Sequence, residues 1–135
     1  MSIDVFLRQS PKYKLVFTKN ELVGFVFTDL GYELATRLDG QTSPSVVATA
    51  AFESVATRGT QDHPIYGKYL AITNIGILFE PELKLNVRLL LESFSHNTLL
   101  VVCSDGVIQN DTFHFDDSTE DYDIALSGLS YFVIE

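Results

Sequence analysis

The stretch from Tyr69 to Ser104 constrains this chain more than any other. Two short apolar runs, Tyr69–Ile72 and Leu99–Cys103, bracket a segment whose apolar residues Val87, Leu90, Leu91 and Phe94 recur at helical spacing. Neither run alternates apolar with polar residues, which is the pattern of strands buried on both faces. A strand, a helix of about ten residues and a second strand make a βαβ unit. Such a unit requires parallel pairing, with the helix on one face of the sheet. Leu90, Val101 and Val102 are then core positions. The fold class follows: α/β, three-layer, with a mainly parallel central sheet.

The remaining segments are read around that unit. Ser2–Gln9 forms a short amphipathic helix with Ile3, Phe6 and Leu7 on one side, ended by Pro11. Tyr13–Thr18 and Leu22–Thr28 read as strands separated by Lys19-Asn20-Glu21. That gap is shorter than the dozen or so residues of a parallel crossover, so an N-terminal antiparallel β-hairpin is expected. Asp29 caps a helix through Leu30, Leu34 and Leu38, with Gly40 as its stop. Ser43-Pro44 opens a second helix through Val47, Ala51 and Val55, ending by Gly59. Thr60–Lys68 is a polar surface loop. Asp105-Gly106 marks a turn, Val107–Ile108 and Thr112–Phe115 a small hairpin, and Asp116–Asp123 an acidic loop. Leu129–Ile134 is the last strand. Without repeats or low-complexity tracts, residues 1–135 read as a single domain.

Charge narrows the function classes. The net charge is −9, and all nine Lys and Arg lie at or before Arg88, where nine Asp and Glu balance them. After Arg88 come nine acids and no base, so the whole net charge belongs to the last third. This argues against direct nucleic-acid binding, which needs clustered Lys and Arg. One cysteine allows no internal disulfide and fits a reducing compartment. No apolar run approaches a membrane span, and the first residues lack the layout of a signal peptide. A cytoplasmic location without membrane contact is the expectation.

Catalytic and metal chemistry finds little footing. His63, His96 and His114 stand in three separate segments, without metal-ligand spacing or a Cys partner. Cys103 ends a buried strand with no basic neighbour to activate it. There is no G-x-S-x-G elbow. The acidic loop lacks the glycine and glutamate of a calcium-binding EF-hand at the sixth and twelfth positions after Asp116. Neither an enzyme, a metal nor a cofactor is expected.

Three places resemble the small P-loop ATPase component of bacterial BREX phage-defence systems. Leu70–Leu83 (LAITNIGILFEPEL) looks like that family's Walker B strand and the run that follows it. Val26–Leu38 (VFTDLGYELATRL) resembles its second strand and next helix. The ending, with Tyr122 in an acidic turn and an apolar strand at Leu129–Ile134, is also similar. A P-loop cradles phosphates with glycine-rich backbone, a Lys and a Ser or Thr. Here no G-x-x-x-x-G-K-[ST] occurs, and Gly67-Lys68 is followed by Tyr69. Lys19-Asn20-Glu21 stands where the loop belongs, and Thr73 and Asn74 stand where a magnesium-binding carboxylate would end the Walker B strand. The resemblance implies a reduced P-loop fold stripped of its ATPase site, a pseudo-ATPase.

Three functions follow as expectations. The first is a non-catalytic adaptor or regulatory subunit that binds a larger protein of a phage-defence complex through a basic surface of that partner. The acids Asp116, Asp117, Glu120, Asp121 and Asp123 would meet it. The second is a residual nucleotide or small-ligand binder at the strand C-terminal ends, lined by Thr73, Asn74, Ser104 and Asp105. The third is an acidic inhibitor that imitates nucleic acid. Polar strand ends and a solvated acidic loop are also ordinary in α/β domains.

Overall fold

The computed structural model describes residues 2–115 and 122–134. In chain order the elements are α1 (Ile3–Arg8), β1 (Leu15–Thr18), β2 (Phe27–Asp29), α2 (Leu30–Leu38), α3 (Pro44–Gly59), β3 (Gln61–His63) and β4 (Gly67–Thr73). Two 3-10 turns, Ile75–Phe79 and Pro81–Leu83, lead to α4 (Val87–Ser95), β5 (Leu99–Cys103), β6 (Val107–Gln109), β7 (Thr112–His114), β8 (Asp123–Ala125) and β9 (Tyr131–Ile134). Five strands pair in parallel in the order β2-β4-β5-β1-β9. β6, β7 and β8 make a separate antiparallel sheet.

Local chemistry sets the element ends. The Asp29 carboxylate accepts the Tyr32 N–H at 3.0 Å and starts α2, and Asn86 does the same for α4 through Leu89 N–H at 3.1 Å. Gly40, at φ +80°, lets the chain leave α2. Pro44 occupies the first turn of α3. Asn110 and Asp111 both take positive φ between β6 and β7, as a two-residue hairpin turn requires.

The N-terminal hairpin expected from sequence does not form. β1 and β2 lie in the same parallel sheet with β5 and β4 between them. Only Phe27–Asp29 of the Leu22–Thr28 run is a strand. Val16, Val101, Ala71 and Phe27 sit at one level across the sheet, so β2 starts level with the second residue of β1. The chain therefore travels three strand spacings, about 14 Å, and backtracks by only about 7 Å. The connection from Lys19 to Val26 has a reach of roughly 27 Å when extended, so no helix is needed. The rule of a dozen residues holds for full-length strands; β2 is short enough to escape it.

This short β2 also explains a second difference. It covers only the C-terminal half of β4, leaving the other half of that edge open. Gln61–His63 fills it as β3, antiparallel to Tyr69–Gly67, where the sequence suggested a loop.

The connection from β1 runs toward one edge of the sheet, and the later connections of the sheet run back toward the other. Keeping one crossover hand then places the first connection on the opposite face from the rest. The first face of the sheet, with Leu15, Phe17, Leu70, Ile72, Leu100 and Val102, packs against α2, α3, α4 and the small sheet. In α3 the packed residues are Ala48, Phe52, Val55 and Ala56, with Val47 and Ala51 half-buried beside them. The second face, with Val16, Tyr69, Ala71, Leu99 and Val101, is covered by Ile3 and Phe6 of the six-residue α1 and by Leu22 and Phe25 of the connection. Val101 and Val102, on opposite faces, are both fully buried, as the sequence implied.

Candidate functional site

The C-terminal strand ends are where an open parallel sheet gathers ligands, at the point where neighbouring connections leave to opposite faces. In this fold that point lies between β1 and β5. Two contacts tie it shut: Ser104 N–H donates to the Thr18 carbonyl at 2.9 Å, and the Cys103 thiol lies 3.7 Å from the Lys19 carbonyl. Burial, then the charges of Glu21 and Asp105, push the Cys103 thiol up from its ordinary range, so it stays protonated and unreactive.

A cavity of about 310 Å³ opens beside this seam, lined by Lys19, Asn74, Ser104 and Asp105 among others. Three of the four residues expected from sequence thus come together. Thr73 does not join them; its hydroxyl points to the Thr28 carbonyl at 3.5 Å. Asn74 sits at φ +56° and donates its carboxamide to Asp29 at 3.0 Å, strapping the end of β4 to the start of α2. The Tyr32 N–H, with Asn74 second, holds the Asp29 carboxyl below its ordinary range. The Ser104 hydroxyl accepts the Gly106 N–H at 3.1 Å within its own turn. Two of the three polar side chains are therefore engaged locally. Lys19 was not foreseen, because a hairpin reading sends it to a turn tip; in the parallel sheet it follows directly on β1.

A second cavity of about 470 Å³ shares Lys19, Ser104 and Gly106 and is floored by Phe17, Phe113 and Tyr131. Phe17 and Phe113 stack at 5.2 Å. A Cβ on Gly106 would lie 2.8 Å from the His114 carbonyl, so glycine alone lets this turn reach the small sheet. The Tyr131 hydroxyl donates to Asp111 at 2.6 Å; burial first, and then that bond and charge, push it up to about 12.

A nucleotide triphosphate does not fit the strand ends. Its phosphates would need the seam between β1 and β5 open and a helix N-terminus following β1. The chain instead bonds the seam and runs on into the connection to β2.

The histidines serve the fold. His63 Nδ1 accepts the Ile65 and Tyr66 N–H groups at 3.1 and 3.3 Å, and its ring stacks on Phe25 at 4.8 Å. His96 lies edge-on to Tyr13. Asp123, expected in the acidic surface, opens β8 with its carboxylate 2.9 Å from His114 Nδ1. Asp116, Asp117, Glu120 and Asp121 lie outside the described residues. Among the described residues no group of three or more His, Cys, Asp or Glu is placed to hold a metal ion, and no helix is long and apolar enough to cross a membrane.

No protein-family model, no curated protein and no solved structure matches this chain. Geometry and the sequence resemblance carry the functional reading.

A second surface went unseen in the sequence. On the thinly covered face a groove of about 720 Å³ runs between α1, the connection from β1, and β9, lined by Ile3, Leu22, Val23, Phe25, Phe132 and Val133 among others. Val23 is as exposed as a free side chain (101%), and nearby Val26, whose N–H is bound by the Tyr69 hydroxyl, is 62% exposed. Such apolar exposure on a sheet face that normally carries helices is the chemistry of a protein interface.

Proposed function

We propose that this chain is a non-catalytic adaptor or regulatory subunit that docks a larger protein of a bacterial phage-defence complex onto the thin face of its sheet. The observation that carries the reading is the groove itself. Where an α/β sheet ordinarily bears a layer of helices, this one has six helical residues and an extended connection with Val23 wholly exposed. The occupant is an apolar helical surface of a different protein. A second copy is disfavoured because each carries a net charge of −9, whereas a partner with a basic surface is drawn to it. The phage-defence setting rests on the resemblance of Leu70–Leu83 and Val26–Leu38 to the BREX component, and the pseudo-ATPase reading on the sealed strand ends.

Two experiments test this. Calorimetry with magnesium-ATP is expected to give no binding heat; micromolar binding ends the pseudo-ATPase reading. Co-expression with the proteins encoded beside this gene is expected to yield a stable complex. A photo-crosslinker at Val23 should capture the partner, and one at the equally exposed Val46 on α3 should not. Val23→Glu should abolish co-purification without unfolding the chain. Crosslinking from Val46 alone, or a complex indifferent to Val23→Glu, removes the groove from the interface.

A further inference from the structure

At the far edge of the sheet, away from the groove, the ends of α2 and α3 converge beside β2. Between them lies a cavity of about 280 Å³, lined by Arg37, Arg58, Glu33, Thr28 and Gln61 among others. Each arginine sits in the last turn of its helix, where the negative end of the helix dipole accounts for one cation. It does not account for the bonding. The Nε of Arg37 is buried and has no hydrogen-bond partner. Glu33, one helical turn earlier, is not within ion-pair distance of either guanidinium among the described residues. A buried donor left open is uncommon in folded proteins and marks the place of a missing water or ion.

The wall supplies more donors. A Cβ on Gly59 would lie 2.6 Å from the Thr28 hydroxyl oxygen, so glycine at the end of α3 leaves that hydroxyl room to turn into the cavity. The Gln61 amide stands at the start of β3 on the same wall. Two guanidinium forks and two neutral donors around a small space fit a planar anion held bidentately. With Glu33 counted, the lining carries one net positive charge. That matches a carboxylate; a phosphate dianion would meet Glu33 with its second charge. The volume suits a few non-hydrogen atoms and excludes a nucleotide.

We propose that this cavity is a carboxylate-binding site formed by Arg37 and Arg58. The carboxylate is that of a small free acid or of an acidic side chain on a bound polypeptide. The site goes beyond the groove reading, since it uses neither that face nor that partner surface.

The test is a titration of the full chain, ¹⁵N-labelled, with sodium acetate at constant ionic strength set by chloride, following the Arg37 Nε–Hε resonance. A saturable shift in the millimolar range is expected, which is what a ligand of so few atoms reaches. Arg58→Gln, a change at an exposed position, should weaken binding by about tenfold or more through the loss of a charge-assisted bond. Arg58→Lys should restore only part of it, since an ammonium lacks the fork. Acetyl-glutamyl-amide separates the two sources: tighter binding than acetate means that the site reads a polypeptide side chain, and weaker binding means a free acid. Inorganic phosphate binding more tightly than either carboxylate overturns the ligand class. A wild-type resonance that does not move with acetate, or moves equally in Arg58→Gln, overturns the site. None of these outcomes depends on finding the groove's partner.

Discussion

Phe25 is the residue by which the unexpected path from β1 to β2 can be checked. In the parallel arrangement its ring stacks on His63 at 4.8 Å, lies edge-on to Tyr69 at 4.9 Å and parallel to Tyr66 at 6.1 Å. It is half-buried, so truncation to Ala returns about 100 Å² of apolar surface to water, worth about 2.5 kcal/mol. The aromatic pairs add about 0.5–1.5 kcal/mol, partly overlapping that area. Phe25→Ala is therefore expected to cost about 2–4 kcal/mol, less than a fully buried phenylalanine. Val23, two residues away and fully exposed, is the internal control: Val23→Ala should stay within about 0.5 kcal/mol. Tyr69→Phe should cost about 1 kcal/mol, because the buried tyrosine's hydroxyl binds Val26 N–H at 2.9 Å. Urea melts with unchanged slopes read all three differences directly. If Phe25→Ala cost under about 0.5 kcal/mol, or no more than Val23→Ala, the connection would not lie on the second face and the groove would lose its wall.

Three further outcomes follow from the geometry. Leu90→Ala, Val101→Ala and Val102→Ala should each cost about 2–4 kcal/mol in cooperative urea melts, and shifts below about 0.5 kcal/mol would mean a loose core. Asn74→Ala removes the second-largest cause of the low Asp29 pKa, so NMR should show Asp29 titrating nearer its ordinary value. A depressed carboxyl stabilises the fold above that ordinary value and loses the contribution as pH falls through its folded pKa; the variant should accordingly show a flatter acid limb, and an unchanged Asp29 curve would remove the strap. Tyr131, raised to about 12, favours the fold below its ordinary range and loses that contribution as pH climbs to about 12. Asp111→Asn should lower its absorbance midpoint only in part, because burial is the larger cause; a full return to the ordinary value would contradict the burial.

Much of the fold was legible because the deciding signals were local. The unbroken apolar runs at Tyr69–Ile72 and Leu99–Cys103 could only be strands buried on both sides, and Asp29, Pro44 and the Asn110-Asp111 turn set their own geometry. The failures were all non-local. Nothing in Leu22–Val26 distinguishes a strand from an extended connection, since both want Leu, Val and Phe. What separates them is the length of β2, and that is fixed by its register on β4. The same error hid Lys19, placed it on a turn rather than at a strand end, and hid Val23 and Phe132 as two walls of one groove. Asn74 and Ser104 were located correctly, but their engagement with Asp29 and Gly106 is a matter of a few ångströms that spacing does not encode.

The charge asymmetry of the sequence takes on a definite meaning in this topology. β5 and the described part of β9 are themselves uncharged, so most of the excess acids fall in the connection between them, from Asp105 to Asp123. The described part of that connection, the small antiparallel sheet, packs on the first face, where Phe113, Ile124 and Leu126 enter the main core. The groove, by contrast, is lined by uncharged residues on the second face. The reversal of direction at β1 thus separates the molecule into an acidic side and a neutral apolar side, because one connection alone had to take the opposite face. A long-range negative field steers a basic partner without forming contacts of its own, and an apolar groove holds a partner without steering it. Division of these two tasks between opposite faces predicts that salt slows association with the partner while leaving its dissociation nearly unchanged, and that Val23→Glu does the reverse. Stopped-flow association in low and high salt separates the two. A partner whose dissociation, rather than association, responds to salt would bind through the acidic connection itself.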